Sequence, residues 1–462
     1  MRRIKMRKRK PANQDYQNRG KNPIPDANIH YQLGYEQGYA RGVARGRETF
    51  DQPFHGTSIV IPSYNQVDYL VRCIESIESH TTEPYEIIVV DNGSTDGTAA
   101  YLGKRAGQLR SVRFEMNRGF AGGVNQGLMM AKGDTIVILN NDTLVTPGWL
   151  THMMRCLLSD PEIGAVGPVS NYISGEQQID VPYKTVDEMW EYAAARSKPD
   201  QSKWRVTERL VGFCILFRRE LLKNIGYFDE GFRIGNFEDD DWMIRIRLRG
   251  LKLVIAGDSF IHHFGSVSMK KLGQKQFEEV QSNNGQYYTK KWVNPHGWVN
   301  EVRQNGSFFR NGTHIGRSGT PADFFPSHVW IRDQGEQRFL LYHGYKYPCS
   351  GLMEQIGGES VLLSRLDIRS IPTATNEMAW EEMLVLPWNS NGHLADGQLL
   401  RSGDGTVYQW DKYSLRPFVS DFALERWNLK ERIITNLPME LLQSVPRGLP
   451  VIAPPVLQNP AL

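Results

Sequence analysis

The stretch from Thr57 to Asp142 is the feature that most limits what this chain can fold into. It contains three apolar segments of strand length, and polar residues follow each of them directly. The segments are Ser58–Ile61, Ile87–Val90 and Thr135–Leu139, followed by Pro62–Asn65, Asp91–Asp96 and Asn140–Asp142. Connections of roughly helix length separate them. Buried strands that alternate with helices are typical of an open α/β sheet, which binds its ligand at the carboxyl ends of the strands.

Helical and apolar patterns continue along the chain around and beyond these three segments. Apolar residues recur on one face between Tyr69 and Ile77, which predicts a helix there. The glycine-rich stretch Asn117–Gly127 predicts a turn that leads into a helix over Leu128–Ala131, because glycine lets backbone amides approach a ligand closely. Further strands are predicted at Val211–Phe217 and Leu253–Ala256, and the acidic residues Glu238–Asp241 are predicted to begin a helix between them.

The chain has 462 residues, more than one compact domain usually holds, so two or three units are expected. We predict a basic, flexible N-terminal segment over residues 1–55, an α/β domain over residues 56–295 and a β-rich region over residues 296–462. No apolar run is long enough to cross a membrane or resembles a secretory signal near the start. The four cysteines are scattered without a CxxC spacing, which predicts reduced thiols in a cytosolic protein.

The first residues carry most of the chain's basic character. Seven lysines and arginines lie between Arg2 and Lys10, whereas the formal net charge of the whole chain is only +3, so the remainder is mildly acidic. Such a run could contact an anionic surface, such as phospholipid headgroups, an acidic glycan or nucleic acid, or it could be a solvated tail. After it, glycine recurs at every fourth residue from Gly34 to Gly46, which favours a tether or assembly element.

The region after Pro295 loses helical periodicity and is rich in Trp, Tyr, Gly and Pro, which favours β structure. It contains a degenerate duplication, in which residues 312–319, 329–338 and 370–372 match residues 397–403, 407–416 and 444–446. The aromatic residues could stack on sugar rings or simply form a core. The last residues, Pro450–Leu462, are predicted to be a frayed tail.

The polar residues at the strand ends suggest chemistry, although each has a plainer structural explanation. Asn140 and Asp142 could place two oxygen ligands on a divalent ion, or they could simply form a turn. Asp91 could accept a hydrogen bond from a base or a ribose, or it could cap the next helix. Glu238 or Asp239 could take a proton from a sugar hydroxyl, or could cap a helix. His262 and His263 are candidate metal ligands or structural residues.

In this order the motifs resemble those of the inverting family 2 glycosyltransferases with the GT-A fold, especially a bacterial branch that contains rhamnosyltransferase-like enzymes. The resemblance covers about Thr57–Leu272 and is carried by Ile61–Asn65, Val89–Gly97, Asn117–Asn125, Asn140–Asp142, Phe237–Trp242 and His263. It implies an α/β fold of the GT-A nucleotide-sugar-binding type, with a mostly parallel sheet flanked by helices, followed here by a β-rich C-terminal region.

The resemblance also implies a role for each matching residue. Asp239 would be the catalytic base, with Glu238 beside it and Asp241 as the second candidate. Asp142 and His263 would hold a divalent cation, Mn²⁺ or Mg²⁺. The donor-binding residues would be Pro62, Tyr64, Asp91, Asn92, Ser94, Asn117, Gly119, Asn125 and Asn140. Because the family has an aspartate at the position of Asn140, Asp142 is expected to carry the metal contact.

The function predicted from these residues is the transfer of a sugar from a UDP- or dTDP-sugar to a hydroxyl of a glycan or glycoprotein at the cell surface. The expected location is cytoplasmic, with peripheral contact between residues 2–10 and the inner face of the membrane, and without specific nucleic-acid binding. The alternative is a carbohydrate-binding or assembly protein on a glycosyltransferase scaffold that has lost turnover, which the asparagine at position 140 and the C-terminal repeats would favour.

Overall fold

The computed structural model describes residues 31–38, 40, 41, 44, 52–265, 273–305, 308–310, 313–315, 319–348, 359–374, 394–411 and 414–459. The chain divides into two compact units, Met1–Gln52 and Pro53–Leu462. In the first unit the described residues are exposed and, apart from Gln52, helical, and the basic run Arg2–Lys10 lies outside them. No helix within the described ranges is long and apolar enough to cross a membrane.

A nine-stranded mixed sheet forms the first half of the second unit. Its strands are β1 (Phe54–Ser63), β2 (Tyr85–Asp91), β3 (Arg110–Arg113), β4 (Gly133–Leu139), β5 (Thr143–Val145), β6 (Ile163–Ser170), β7 (Trp204–Thr207), β8 (Cys214–Arg218) and β9 (Lys252–His263). The order is β3-β2-β1-β4-β8-β6-β9-β5, and β7 pairs with β9. The first four strands are parallel, whereas β8 runs antiparallel to β4 and β6. The predicted fold class, helices around such a sheet, is confirmed.

Helices cover both faces of the sheet and continue beyond it. They are α1 (Val67–His80), α2 (Thr98–Lys104), α3 (Gly119–Met130), α4 (Trp149–Ser159), α5 (Val186–Arg196), α6 (Glu220–Ile225), α7 (Glu238–Leu248), α8 (Gln274–Trp292) and α9 (Pro295–Asn305). Leu70, Cys73, Ile74 and Ile77 are fully buried on α1, as their spacing predicts. Cys73, Cys156 and Cys214 are buried and free, and Cys349 lies outside the described residues.

The glycine-rich stretch is a helix and not the predicted turn. Helix α3 begins at Gly119, well before the predicted start at Leu128. The glycines allow this helix to lie directly on β1. A Cβ atom added to Gly127 would be 2.2 Å from Cγ1 of Val60, and one added to Gly123 would be 3.2 Å from Cβ of Pro62. The prediction was wrong because these glycines provide space for helix–sheet packing, which the turn interpretation did not consider.

Two four-stranded sheets follow a small antiparallel pair, β10 (Phe308–Arg310) with β11 (Thr313–Ile315). The first contains β12 (Val329–Arg332), β13 (Arg338–Tyr342), β14 (Tyr345–Pro348) and β15 (Val361–Leu362). The second contains β16 (Leu399–Arg401), β17 (Val407–Asp411), β18 (Ser414–Pro417) and β19 (Ile434–Asn436). Both sheets are ordered third-second-first-fourth strand, with the fourth strand parallel to the first. Among the residues that the structure describes in this region, three short helices accompany the sheets: α10 (Arg365–Ser370), α11 (Asp421–Arg426) and α12 (Met439–Ser444).

Equivalent backbone hydrogen bonds recur in the two sheets and support the predicted duplication. The amide of Lys346 donates to the carbonyl of Pro372 at 2.9 Å, and the amide of Leu415 donates to Pro446 at 3.0 Å. The match between residues 370–372 and 444–446 therefore falls on equivalent positions. The match between residues 329–338 and 407–416 was wrong in register, because it pairs the first strand of one sheet with the second strand of the other. The match between residues 312–319 and 397–403 does not fall on equivalent strands. The first range includes β11 of the small antiparallel pair, whereas the second includes β16 of a four-stranded sheet.

The C-terminal residues are packed and not frayed as far as Asn459, the last described residue. Val451, Ile452 and Ala453 are buried, and the indole of Trp427 donates to the carbonyl of Ile452 at 2.7 Å. The prediction failed because the prolines and small residues of this segment indicate irregular backbone, which can be buried as easily as exposed when its polar groups find partners.

Candidate functional site

The polar residues after β1, β2 and β4 meet at one edge of the sheet. Ser63 connects them, because its carbonyl accepts the amide of Asn92 at 2.7 Å and its hydroxyl accepts Nδ2 of Asn141 at 3.0 Å. Ser63 ends β1, Asn92 follows β2 and Asn141 follows β4. The three strand ends therefore form one continuous surface, as the sequence predicts for parallel strands.

Asp91 lies at the base of the turn after β2 and is fully buried. Its Oδ1 atom accepts the amide of Ser94 at 2.9 Å, and the hydroxyl of Ser94 accepts the amide of Asn65 at 2.8 Å. Its Oδ2 atom makes no hydrogen bond within the described part of the chain, although Nε of Arg113 lies 3.4 Å away. One oxygen of Asp91 is thus buried without a hydrogen bond, and the hydroxyl of Ser94 links this turn to the end of β1.

Asn92 joins this turn to the start of α3. Its Nδ2 donates to the carbonyl of Gly119 and its Oδ1 accepts the amide of Arg118, both at 2.8 Å. The side chain of Asn117 accepts the amide of Gly119 at 2.8 Å. Gly119 has φ +75°, and a Cβ there would lie 3.1 Å from the amide nitrogen of Ile234, so glycine is required on both counts. Asn92 therefore connects the end of β2 to the start of α3 through both polar atoms of its side chain.

Asn125 is placed where it cannot contact a donor. It is fully buried on α3, and its Nδ2 donates to the carbonyl of Phe228 at 2.9 Å and to Oε1 of Glu230 at 2.8 Å. Its Oδ1 accepts the amide of Phe228 at 2.9 Å. The prediction that Asn125 binds the donor is therefore corrected: its polar atoms hold the segment around Phe228 against α3. Pro62 is also buried, whereas Tyr64 is exposed at the end of β1.

Asp142 and His263 face each other at the far side of the edge. Oδ1 of Asp142 lies 3.1 Å from Nε2 of His263, and both residues are almost fully buried. Nδ1 of the same imidazole lies 2.8 Å from the carbonyl of Tyr172, which can only accept, so Nδ1 carries a proton. Nε2 is then the ring nitrogen that binds a cation when the imidazole is neutral, or that donates to Asp142 when the imidazole is protonated. That arrangement, including the backbone support for the histidine, fits a cation held by both side chains.

The second histidine does not join this pair. His262 is the neighbouring residue on β9, so its side chain takes the opposite face. Its Nδ1 lies 2.8 Å from the hydroxyl of Tyr183, and burial lowers the pKa of its imidazole to about 4. Of the two candidate histidines, only His263 reaches Asp142. Within the described ranges no cluster of three or more His, Cys, Asp or Glu side chains suits a metal, so further ligands would come from a substrate or water.

Asp239 and Glu238 begin α7 and are almost completely buried. Oδ2 of Asp239 accepts the amide of Gly212 at 2.8 Å. Burial, followed by the charge of Asp240, raises the pKa of Asp239 to about 6. Burial, followed by the charge of Asp239, raises the pKa of Glu238 to about 8. At neutral pH, Asp239 is therefore the more ionised of the two, and Glu238 holds its proton. Oε2 of Glu238 has no hydrogen-bond partner among the described residues.

Asp241 is a structural charge and not a second candidate for the base. It is fully buried, and its carboxylate is bound by Nζ of Lys291 at 2.6 Å, Nη2 of Arg245 at 2.9 Å and the indole of Trp292 at 3.0 Å. Burial alone would raise its pKa, but Lys291 and Arg245 outweigh burial and lower it. A carboxylate with two cationic partners and no exposure cannot take a proton from an acceptor.

Backbone contacts close the motifs into a ring. The amide of Phe120 donates to the carbonyl of Ile234 at 2.7 Å, which ties α3 to the turn before α7. Next to Gly212, which binds Asp239, the carbonyl of Phe213 accepts the amide of Asn140 at 2.8 Å. We call the resulting sequence of contacts the cleft ring; its members are Ser63, Asn92, Gly119, Phe120, Ile234, Asp239, Gly212, Phe213, Asn140 and Asn141. The ring connects the turn of Asp91, the Asp142–His263 pair and Asp239 through hydrogen bonds of these residues or of their neighbours.

Some residues of this site were not predicted from the polar motifs that follow the strands. The ring of Phe213 stacks on His263 with centroids 5.4 Å apart, and Arg209 forms an ion pair with Asp240. Arg113 ends β3 beside Asp91, and a basic residue at the end of the neighbouring strand could have indicated it. Phe213 and Arg209 precede an apolar strand, so nothing in the local pattern separates them from core and surface residues.

Comparisons with known proteins agree with the resemblance. Residues 58–226 match the family described as "Glycosyl transferase family 2". An uncharacterized glycosyltransferase of Bacillus subtilis, YwdF, is 28% identical over 188 residues, which are 41% of this chain and 66% of YwdF. Poly-beta-1,6-N-acetyl-D-glucosamine synthase of Staphylococcus epidermidis is 28% identical over 182 residues, or 38% of this chain and 43% of the synthase.

Among solved structures, a mannosyltransferase of Pyrobaculum calidifontis in complex with GDP-Man and Mn²⁺ overlays with a TM-score of 0.36 and 19% identity, covering 60% of this chain and 82% of that one. This chain matches about two thirds of the length of YwdF and about two fifths of the length of the synthase. A family 2 glycosyl transferase domain over residues 58–226 is confirmed, whereas the rhamnosyltransferase-like branch remains a prediction. The acidic residues of α7 and His263 lie beyond the matched residues.

Proposed function

We propose that this chain is an inverting glycosyltransferase that moves a sugar from a UDP- or dTDP-sugar to a hydroxyl of a cell-surface glycan or glycoprotein. The observation that carries the proposal is the cleft ring, which joins the turn of Asp91, whose Oδ2 atom makes no hydrogen bond among the described residues, to the Asp142–His263 pair and the carboxylate of Asp239. Such a transfer needs a residue that recognises the nucleotide, a site that stabilises the leaving diphosphate, and a base. The similarity to a polysaccharide synthase supports an acceptor of this class.

The donor would lie along the strand ends. Oδ2 of Asp91 can accept a hydrogen bond from the imide of a pyrimidine or from a ribose hydroxyl. Asp142 and His263 would hold a divalent cation, Mn²⁺ or Mg²⁺, which when bound would offset the negative charge that develops on the diphosphate as it leaves. Asn140, half-buried beside this pair, would contact the donor. The side chains of Asn92, Ser94 and Asn125 would shape the site without touching the donor, because their polar atoms bind the protein.

Asp239 would act as the base. The acceptor oxygen attacks the anomeric carbon, its proton passes to the carboxylate of Asp239, and the bond from the anomeric carbon to the diphosphate oxygen breaks with its electron pair on the diphosphate. One direct displacement inverts the anomeric configuration. A pKa near 6 leaves Asp239 ionised at neutral pH but more basic than an ordinary aspartate, which suits proton abstraction.

Release of nucleoside diphosphate from a panel of UDP-, dTDP- and GDP-sugars, with and without Mn²⁺, tests the proposal. The wild type should release UDP or dTDP from at least one donor, since water can replace the missing acceptor slowly. Asp239→Asn should abolish release while binding the donor normally. If wild type binds sugars but releases no diphosphate from any donor, the binding or assembly function, which Asn140 favours, replaces this one.

A further inference from the structure

The turn before α7 has an unusual backbone. Ile234, Asn236 and Phe237 have φ values of 65°, 81° and 74°, in the left-handed region that side chains disfavour. Each such residue costs about 1–2 kcal/mol relative to the right-handed form, so the turn persists only if its surroundings hold it. The turn lies between two parts of the cleft ring, the carbonyl of Ile234 and the acidic start of α7.

Asn284 on α8 binds the backbone of this turn with every polar atom of its side chain. Nδ2 donates to the carbonyls of Arg233, Gly235 and Asn236 at 2.9, 2.8 and 3.2 Å, and Oδ1 accepts the amide of Arg233 at 3.2 Å. The residue is 3% exposed, so these hydrogen bonds form away from water, where their loss is costly. One amide thus satisfies four backbone groups of a turn that cannot form regular structure.

Helix α8 is itself fixed relative to the acidic residues. Nζ of Lys291 binds both Asp229 and Asp241 at 2.6 Å, and the hydroxyl of Tyr287 donates to Asp229 at 3.1 Å. The helix therefore holds the segment from residue 229 to residue 241 at both ends, while Asn284 holds its middle. Because α8 is fixed in this way, the side chain of Asn284 can hold the turn before α7 in its strained conformation.

We propose that Asn284 is a positioning residue for Asp239, acting through the backbone of residues 233–237. The inference rests on the proposed function, because it takes Asp239 to be the base. By fixing the point at which α7 begins, Asn284 fixes the direction of the first carboxylates of the helix relative to the donor side of the cleft ring. Asn284 touches neither substrate nor reacting atoms in this account.

The test compares Asn284→Ala and Asn284→Asp with Gln286→Ala, an exposed position on the same helix. The alanine removes all four hydrogen bonds, and the aspartate, of nearly equal volume, cannot donate to the three carbonyls. Because a displacement of about 1 Å can cost ~100-fold in rate, both variants should lower kcat by roughly 10- to 100-fold. The donor KM should change little, since Asp91 and Asp142 are untouched. Gln286→Ala should match the wild type.

Each outcome decides the question. Activity is measured as diphosphate release from the donor that the wild type uses, and folding by the unfolding transition of each variant. A wild-type protein without turnover would overturn the proposed function. Given an active wild type, unchanged kcat in both variants, equal losses in kcat and donor affinity, or unfolding of both variants would overturn the positioning role alone. A fall in kcat in a folded variant with retained KM would support it.

Discussion

The two sides of the cleft ring are built differently. On the side that we propose binds the donor, called here the donor side, the turns after β1, β2 and β4 support one another through contacts among nearby strand ends, such as Ser63 with Asn92 and Asn141. On the side that we propose faces the acceptor, called here the acceptor side, the turn before α7 and the buried Asp241 depend on Asn284 and Lys291 of α8. The donor side is thus held within the sheet, whereas the acceptor side needs residues from outside the domain matched by the family.

The C-terminal half takes part in the same support. The amide of Val456 donates to Oδ1 of Asp229 at 2.9 Å, and the amide of Gln458 donates to Oε2 of Glu230 at 2.9 Å. The side chain of Asn459 donates to Gln126 on α3 at 3.0 Å. Residues Ile244 and Leu248 of α7 share one core with residues of both C-terminal sheets. The β-rich region is therefore part of the scaffold of the acidic residues, whatever it binds.

The largest expected effect is on the acceptor side, at Lys291. Lys291→Met roughly keeps the volume but removes the lysine charge from Asp229 and leaves Asp241 with Arg245 as its charged partner, beside the indole of Trp292. Removing one partner of a buried ion pair typically costs about 3–5 kcal/mol, so the free energy of unfolding should fall by that amount. Urea unfolding measures it, with the neighbouring exposed Lys290→Met as a control that should stay within ~0.5 kcal/mol of the wild type. A tolerated Lys291→Met would mean that the acceptor side does not depend on α8.

A smaller effect is expected on the donor side, at the contact of α3 with β1. A methyl group on Gly127 would overlap Val60, and overpacking costs about 1–3 kcal/mol, against a gain of up to ~1 kcal/mol in helix propensity. Gly127→Ala should therefore destabilise the protein modestly. On α2, Gly103 has nothing within 4 Å of its added Cβ, so Gly103→Ala should be neutral or stabilising in the same urea experiment. Equal effects at both positions would contradict the packing role of Gly127.

The third expected effect is a pH dependence from Glu238, which is small only at low pH. Its pKa rises from 4.5 to about 8 on folding, because burial and Asp239 disfavour its charge. A raised carboxyl pKa carries no penalty below the unfolded value and a growing one as pH rises toward the folded value. Glu238→Gln should therefore nearly match the wild type in melting temperature at about pH 4 and exceed it at about pH 9. Parallel curves for the two proteins would show that Glu238 is not held protonated by the fold.

The strand ends of the sheet could be predicted from the sequence because each motif is local: an apolar run followed by polar residues. Even the pairing of Asp142 with His263, 121 residues apart, followed from the resemblance. Asn125 was misassigned because an asparagine near glycines is typical of a ligand site, and nothing local showed that Phe228 and Glu230 would occupy its amide.

Asn284 and the C-terminal residues could not be predicted because their partners lie far away in sequence. Asn284 contacts residues about fifty positions earlier, and Gln458 contacts a residue 228 positions earlier. The only local hint is the pair Asn284 and Gly285 inside a helix, two poor helix formers that need a tertiary reason to be there. The sequence predicted a duplication, but the register between the two sheets could be assigned only from the strand pairing.

The most direct test of the account is a titration of UDP and dTDP, with and without Mn²⁺, into the wild type, Asp142→Asn and Asp134→Asn. Asp142 lies in the cleft ring region after β4, whereas Asp134 lies at the opposite end of the same strand and is exposed. The account predicts that one nucleotide binds the wild type and Asp134→Asn about tenfold more tightly when Mn²⁺ is present. Asp142→Asn should lose this gain in affinity. Equal Mn²⁺-dependent binding by Asp142→Asn, or no binding of either nucleotide to the wild type, would contradict it.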